Sequence, residues 1–288
     1  MQLQASEATR TRAAIVARAF VTARLEARAL PDFPGSLPPD LPSAYAVQDA
    51  AIALWPDRVA GWKVGGIAPA FRGRYAAPRV VGPIFSRAVR EAFTGEIVEL
   101  PMFVGGFAAV EAEFVLRLAA DAPAGKLDWT PAEAAALVAS LHVGVEPASS
   151  PLATINELGP AAVVSDFGNN AGLVVGPSIE DWRAREPRTM QSESFLEGRS
   201  VGRGTAASIE GGPLAALAYA LGCCARRGRP LEAGTFVTTG ATTGIHEIRP
   251  GQTARLEFGN AGTIVCRAIA AQPAPFDPAS LRPTLQAC

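Results

Sequence analysis

Histidine and lysine are scarce in this chain. Its 288 residues include 2 histidines, His142 and His246, and only Lys63 and Lys126 among the 26 basic residues are lysine. A Ser-His-Asp triad would need one of the histidines, and no G-x-S-x-G elbow is present to carry the serine. The sequence therefore gives no indication of a serine hydrolase.

Charge clusters and long apolar runs are also missing. The formal net charge is −1 and no basic run occurs, whereas a nucleic-acid-binding protein needs a patch that neutralises phosphates. No apolar stretch approaches the roughly 20 residues that cross a bilayer. We therefore expect no nucleic-acid partner and no membrane partner.

Two features bear on the cellular compartment. No C-x-x-C pair occurs, and Cys223 and Cys224 lie in an apolar helical pattern, which indicates reduced thiols in a cytoplasmic protein. The first 30 residues are rich in Ala and Arg, as in some transit peptides, but Glu7 and Glu26 interrupt the pattern. We expect this segment to be an ordinary surface helix.

Helical periodicity dominates the first 60 residues. Residues 6–30 carry apolar side chains at helical spacing with Ser6 as N-cap, and residues 31–42 contain too many prolines to continue a helix. A second helix is predicted from Ser43 to Pro56. We interpret residues 1–60 as an N-terminal helical cap.

After residue 60 the chain changes to short β-branched segments bounded by Gly, Pro or Asn, which indicate strands. Helical patterns at 130–141 and 213–228 interrupt them without a regular βαβ alternation, so we predict an α+β fold with a twisted or rolled sheet. This mixed-β domain covers 61–270, and a Pro-rich tail follows over 271–288. The predicted strands are 59–66, 95–100, 108–118, 161–167, 171–176, 235–240, 253–259 and 262–270.

The stretch VEAEFVLRL, residues 110–118, places two carboxylates, Glu111 and Glu113, in an apolar run. Residues two apart share one face of a strand, so these side chains would lie side by side. Solvent, a shared proton or a cation must offset their repulsion. A third carboxylate would favour a divalent ion such as Mg²⁺. Two residues can supply it: Glu146 in HVGVEPASS and Asp166 in SDFGNN.

Lysine usage gives a second clue. Lys63 lies in the strand-like run GWKVGG, whereas Lys126 lies in the polar loop APAGKLDW. A lysine in a cleft can release its proton near neutral pH, but an arginine cannot. Lys63 is therefore a candidate for amine chemistry, and Lys126 is expected at the surface.

Several of these segments form an ordered set over roughly residues 43–270: SAYAVQDA, GWKVGG, VGPIF, VEAEFVLRL, VGVEP, SDFGNN, GGPLAALAYALG, RGRPLEAGTFVTTGATTG and RPGQTARLEFGNAGTI. The set resembles the fumarylacetoacetate hydrolase superfamily. The branch that it resembles most contains 2-keto-4-pentenoate hydratases and related 2-oxo-dienoate hydratases and decarboxylases. The resemblance implies a rolled mixed β-sheet with peripheral helices, and a homo-oligomer.

The resemblance also implies site residues. The family's E-x-E pair and later glutamate bind Mg²⁺ or Mn²⁺, its Gly-aromatic-Lys motif supplies an active-site lysine, and an Asp follows at a strand end. A late Gly-Ser/Ala-x-Thr turn would hold the substrate carboxylate. These positions correspond to Glu111, Glu113 and Glu146 for the metal, Lys63 and Asp166 for catalysis, and Gly240, Ala241, Thr242 and Thr243 for the substrate.

Two departures from the family pattern bear on the reaction. Many hydratases continue from the third glutamate as E-I-V-D-S-R, but this chain reads EPASSP, with Ser149 in the acidic position, and V-G-V-E replaces P-A-I-E. These changes affect the substrate rather than the metal. Hydrolases of the family commonly use a histidine near the N-terminus, and no histidine precedes His142, which disfavours hydrolysis.

The resemblance leads us to expect a cytoplasmic metal-dependent lyase that adds water to a 2-hydroxydienoate derived from a small 2-oxo acid. The alternatives are decarboxylation of a 2-oxo-dioate of the 4-oxalocrotonate type and hydrolysis of an acylpyruvate C–C bond. A catalytically silent subunit that associates with a related decarboxylase is a further alternative of a different class.

Overall fold

The computed structural model describes residues 7–275. The predicted N-cap Ser6 and residues 276–288 of the predicted tail, with Cys288, lie outside the described residues. The α-helices are α1 (Glu7–Leu25), α2 (Leu41–Leu54), α3 (Pro131–Ala135), α4 (Ile155–Leu158), α5 (Pro160–Ser165) and α6 (Gly212–Arg226). The strands are β1 (Val59–Gly66), β2 (Arg79–Phe85), β3 (Val89–Glu91), β4 (Ile97–Met102), β5 (Phe107–Leu118), β6 (Val138–Ser150), β7 (Leu173–Ser178), β8 (Gln191–Leu196), β9 (Arg199–Thr205), β10 (Phe236–Thr238), β11 (His246–Glu247), β12 (Thr253–Glu257) and β13 (Thr263–Ala270).

The strands form two mixed sheets. The larger has the order β2-β1-β10-β5-β6-β7-β3, with β11 also paired to β5, and the smaller has the order β4-β13-β12-β8-β9. Within the larger sheet β1–β10 and β3–β7 are parallel, and the other pairs are antiparallel. The α+β prediction with a curled mixed sheet is confirmed.

The central strand β5 alternates as its sequence predicts. Val110, Ala112, Phe114 and Leu116 are fully buried and belong to the main apolar core, where the ring of Phe114 meets that of Phe258 edge to face at 5.9 Å. The other face of β5 carries the two glutamates. Because the pleat has a period of two, burial of the apolar set fixes which way the carboxylates point.

The two N-terminal helices pack on each other and share one apolar core with the strands, to which α1 contributes Phe20 and Val21. The first helix ends at Leu25 rather than at residue 30, because Ala27 has a φ of +50° and turns the chain. Asp40, and not Ser43, caps α2. Its carboxylate accepts the N–H of Ser43 at 2.8 Å.

Two predicted elements are wrong. Residues 161–167 form helix α5 and its C-terminal end instead of a strand, since Pro160 occupies the first helical turn and suits it. The predicted helix over 130–141 is only the short α3, after which β6 begins at Val138 and pairs with β5 along its whole length. In both places tertiary packing outweighs the local pattern.

Candidate metal centre

Three glutamates meet on one face of the larger sheet. In the β5–β6 register Glu111 lies directly opposite Glu146, and Glu113 lies opposite Gly144. Side chains opposite each other on antiparallel strands are close neighbours. One carboxylate oxygen from each glutamate lies within 4.8 Å of the others, and Glu111, Glu113 and Glu146 are 5%, 0% and 0% exposed. The structure therefore brings together the carboxylates that the sequence analysis assigned to a metal.

The electrostatics of the three glutamates favour a bound cation. Burial raises the pKa of the Glu111 carboxyl to about 7, since Lys63 offsets only part of the effect and Glu146 adds to it. Burial also raises the pKa of Glu113 well above its usual range, and the charges of Glu146 and Glu111 add to the effect. Without a cation these carboxylates retain protons that they would release in water.

Hydrogen bonding supports the same conclusion. The backbone N–H of Gly240 donates to one oxygen of Glu113 at 2.6 Å, but the buried Oε1 of Glu113 has no hydrogen-bond partner among the described residues. Buried polar atoms are normally paired. Hard divalent cations take carboxylate oxygens as ligands, so the donor set fits Mg²⁺ or Mn²⁺.

Lys63 lies beside the triad, on β1. Its Nζ is 3.4 Å from Oε1 of Glu146, and the residue is 6% exposed. A Cβ on Gly65 would lie 3.3 Å from this Nζ, so glycine leaves room for the ammonium group. Burial alone would lower the pKa of Lys63, but the charges of the three glutamates outweigh it and the net pKa is raised.

Two residues that the sequence analysis missed hold Glu146 in place. The Nδ2 of Asn170 donates to its Oε1 at 3.0 Å, and the hydroxyl of Thr238 donates to its Oε2 at 3.3 Å. Asn170 belongs to the quoted stretch SDFGNN, in which only Asp166 was singled out. Thr238 lies in the predicted strand 235–240, but no local pattern distinguishes it.

A cavity of about 710 Å³ opens beside the triad. Lys63 and Glu111 line its inner end, together with Thr239, Gly240 and Ala241. Apolar residues and charged residues of both signs line the rest of the wall, and the charged ones are Arg72, Arg79, Glu157, Glu210 and Glu247. Glu111, alone among the three glutamates, therefore lines a space large enough for a small substrate.

The remaining predicted site residues lie in different settings. Gly240 lines the cavity, but its N–H is bonded to Glu113. Thr243 does not line the cavity, and its hydroxyl contacts Ser194 at 2.7 Å and His246 at 3.1 Å. Asp166 follows a helix rather than ending a strand. Its carboxylate is fully buried and does not line the cavity, and Arg24 occupies both of its oxygens.

Comparisons with known proteins identify relatives. No family profile matches the chain. A 4-oxalocrotonate decarboxylase from a Pseudomonas species is 35% identical over 104 residues, which is 35% of this chain and 39% of that relative. The match therefore spans well under half of the relative's length.

Solved structures match over more of the chain. The 4-oxalocrotonate decarboxylase from Pseudomonas putida G7, complexed with magnesium and adipate, superposes with a TM-score of 0.75 at 21% identity over 90% of this chain and 98% of that one. The chain therefore shares the fold of this decarboxylase. A fumarylpyruvate hydrolase from Pseudomonas aeruginosa, in complex with Mn²⁺ and pyruvate, matches with a TM-score of 0.54 at 17% identity over 75% of this chain and 91% of that one.

The shared fold agrees with the fold predicted from the sequence, the two matched structures are complexes with magnesium and Mn²⁺, and this chain has a carboxylate group that can bind such a metal. Within residues 7–275 the helices are too short or too polar to span a bilayer. The thiols of Cys223, Cys224 and Cys266 are free.

Proposed function

We propose that this protein is a divalent-metal-dependent decarboxylase of a 2-oxo-dioate of the 4-oxalocrotonate type. The observation that carries the proposal is the buried triad of Glu111, Glu113 and Glu146 beside Lys63 at the inner end of a cavity. The sequence favours a hydratase, with decarboxylation as an alternative. The 4-oxalocrotonate decarboxylases among the relatives support the alternative better than the hydratase.

The three glutamates would hold Mg²⁺ or Mn²⁺ as ligands and take no part in proton transfer. When bound, the cation supplies Lewis-acid stabilisation of the negative charge that develops on the substrate's C2 oxygen. Gly240 and Asn170 would keep Glu113 and Glu146 oriented through the hydrogen bonds that they already make. Such partners of ligands fix the ligand geometry.

Decarboxylation breaks the carbon–carbon bond to the substrate's second carboxylate. CO₂ leaves, and the electron pair is delocalised along the conjugated chain to the C2 oxygen. A proton must then be added to the product. Lys63 has its ammonium group at the inner end of the cavity, so it can attract the substrate anion and donate that proton from Nζ.

The protonation state of Lys63 depends on its carboxylate neighbours. Their charges raise its pKa and keep it protonated in the metal-free protein, against the lowering effect of burial. A cation on the triad would cancel much of the carboxylate charge, and the pKa of Lys63 would then fall. The same lysine would then transfer a proton more readily in the metal-loaded protein than in the metal-free one.

Other aspects of the proposal rest on the sequence analysis. Gly240 stays a predicted substrate-binding residue because it lines the cavity, whereas the contacts of Thr243 disfavour that role. We assign Asp166 to support of the site rather than to catalysis. A homo-oligomer, a complex with a related enzyme and a cytoplasmic location stay predictions.

The test is incubation of the purified protein and Mg²⁺ or Mn²⁺ with 4-oxalocrotonate and, separately, with a 2-hydroxydienoate and with an acylpyruvate. Ultraviolet absorbance, CO₂ release and product mass are recorded. We expect metal-dependent CO₂ release from the dioate, and none from a Glu113→Ala variant. Water addition to the dienoate without CO₂ release would establish the hydratase instead. C–C cleavage of an acylpyruvate would establish a hydrolase. Inertness of the metal-loaded protein would favour a silent subunit.

A further inference from the structure

Arg24 of α1 is a buried arginine with an unusually complete set of partners. Its guanidinium binds both carboxylate oxygens of Asp166, with Nη2 to Oδ2 at 2.9 Å, and its Cζ lies 5.5 Å and 5.2 Å from the ring centroids of Phe103 and Phe167. The residue is 8% exposed. A bidentate arginine–carboxylate pair that also contacts two aromatic rings has a fixed geometry.

The same guanidinium connects two backbone segments that border the metal centre. Its Nη2 donates to the carbonyl of Ser149 at the end of β6, and its Nη1 donates to the carbonyl of Asn170, both at 3.0 Å. The hydroxyl of Ser150 donates to Asp166 Oδ2. Arg24 and Asp166 therefore hold the strand that carries Glu146 against the turn over residues 166–170.

That turn has a backbone that needs outside support. Phe167, Gly168 and Asn169 have φ values of +53°, +71° and +62°, and left-handed conformations are unfavourable for the two residues that are not glycine. Such strain persists only where the surrounding contacts over-determine the conformation. The turn also approaches β2 closely, since a Cβ on Gly82 would lie 2.1 Å from the carbonyl oxygen of Phe167.

The turn delivers Asn170 to the metal centre. The Nδ2 of Asn170 donates to Glu146 Oε1 at 3.0 Å and to the carbonyl of Gly172 at 2.9 Å, and its Oδ1 accepts the N–H of Gly172 at 3.0 Å. These contacts fix the direction of the amide, so its position depends on where the turn holds its backbone. Loss of such a partner typically weakens metal binding 10–100-fold.

We propose that Arg24 and Asp166 are positioning residues for the metal centre, which set the orientation of Glu146 through the 166–170 turn and Asn170. The inference rests on the proposed metal site and adds the N-terminal helix to it. Neither residue lines the cavity. Their effect is expected on metal affinity first, and on turnover only where metal is limiting.

The experiment measures Mn²⁺ affinity by electron paramagnetic resonance of the free ion, at a temperature where circular dichroism shows each variant folded. We expect Asp166→Asn and Arg24→Lys to weaken Mn²⁺ binding about 10–100-fold. The matched control is Asp49→Asn, which breaks another arginine–aspartate pair, Asp49 with Arg227 at 2.6 Å, whose residues do not line the cavity. It should lower stability without changing Mn²⁺ affinity.

A second variant keeps the test decisive if the ion-pair variants do not fold. Asn170→Ala leaves Arg24 and Asp166 intact and should weaken Mn²⁺ binding to a similar extent. The double variant Asp166→Asn with Asn170→Ala should bind Mn²⁺ no more weakly than Asn170→Ala alone. Wild-type affinity in Asn170→Ala, or in a folded Asp166→Asn, would overturn the inference. Absence of Mn²⁺ binding by the wild-type protein would instead overturn the proposed function.

Discussion

At the scale of single residues, Glu113 carries the strongest indication of a ligand. It is fully buried, one of its oxygens accepts the Gly240 N–H, and the other has no partner in the described part of the chain. A buried carboxylate without compensation is costly, and two further carboxylates close to it increase the cost. A cation on the triad removes this cost, because it pairs with the orphan oxygen and balances the charge.

Replacement of Glu113 by glutamine separates two effects of this carboxylate: its cost to the stability of the metal-free protein and its contribution to Mn²⁺ binding. In the metal-free protein at pH 8, Glu113→Gln should unfold at a higher temperature than the wild type, because it removes a carboxyl group that folding must either bury as a charge or protonate, and it can still accept the Gly240 N–H. Mn²⁺ should bind the variant at least about 100-fold more weakly and no longer stabilise it. Calorimetric melting with and without Mn²⁺ checks both effects, and wild-type stabilisation by Mn²⁺ would speak against Glu113 as a ligand.

The two lysines form a natural pair for comparison. Lys63→Met should lower turnover by roughly 10²–10⁴-fold, since it removes a proton donor and a charge in the cavity. Lys126 pairs with Glu133 at the protein surface, and Lys126→Met should leave turnover close to that of the wild type. Steady-state kinetics with saturating metal checks this. Lys63→Arg retains the charge but cannot release a proton, so restored turnover in that variant would limit Lys63 to an electrostatic role.

At the scale of elements, the sequence predicts the strands next to the site well. The bounds of β1 match the prediction at 59–66, and β5 lies within one residue of it, although both strands are buried on both faces along most of their length. The alternation in β5 also predicts the shared face of Glu111 and Glu113. Segment 161–167 lacks such alternation, and its Val-rich composition suits either a buried strand or a short buried helix. Packing against α2 decides in favour of the helix.

The supporting contacts of the site could not be predicted in the same way. Arg24 and Asp166 are 142 residues apart, and Thr238 and Glu146 are 92 apart. Local periodicity in the sequence cannot predict such pairs, because the two residues of a pair meet only in the folded protein. The sequence therefore identifies Asp166 only as a polar residue in a position that can line a site. Its partner is Arg24 of α1, a helix that the sequence pattern alone assigns to the surface.

Ser149 stands where many hydratases have an acidic residue, and its hydrogen bonds at the end of β6 constrain which residue fits there. Its hydroxyl donates to the carbonyl of Phe107 at 2.8 Å and accepts the N–H of Phe103 at 3.1 Å, and the residue is fully buried. An ionised Asp could accept from Phe103 but could not donate to Phe107. We expect Ser149→Asp to lower the free energy of unfolding at pH 8 by about 3 kcal/mol or more.

The loss of stability in Ser149→Asp should become smaller as pH falls, because a protonated Asp can donate to the carbonyl of Phe107. Urea denaturation at pH 8 and pH 5 checks this, with Ser149→Ala as a control that loses the hydrogen bonds but adds no charge. A Ser149→Asp variant as stable as the wild type at pH 8 would show that this hydrogen-bond pattern does not explain the serine.

At the scale of the whole molecule, the carboxylate triad links folding to pH. Burial raises the pKa of Glu111 from its usual 4.5 to about 7, so the folded metal-free protein binds this proton more tightly than the unfolded chain. Its contribution is fully present below pH 4.5 and is lost as pH rises through about 7. A shift of this size corresponds to on the order of 3 kcal/mol.

We therefore expect the metal-free protein to lose stability between about pH 5 and pH 8. Mn²⁺ should restore stability increasingly over the same range, because it competes with protons for the carboxylates. Thermal melting in chelator and in Mn²⁺ across this range checks both trends. Stabilisation by Mn²⁺ that is independent of pH would argue against a site made of these glutamates.

The most direct test of the metal centre is anomalous diffraction at the manganese edge from crystals of the protein grown with Mn²⁺. We predict one strong peak per chain, within ligand distance of Glu111, Glu113 and Glu146, and no such peak in crystals of Glu113→Gln. A wild-type map without density there, or with its manganese among the exposed acids at the cavity mouth, Glu157 and Glu210, would contradict this prediction.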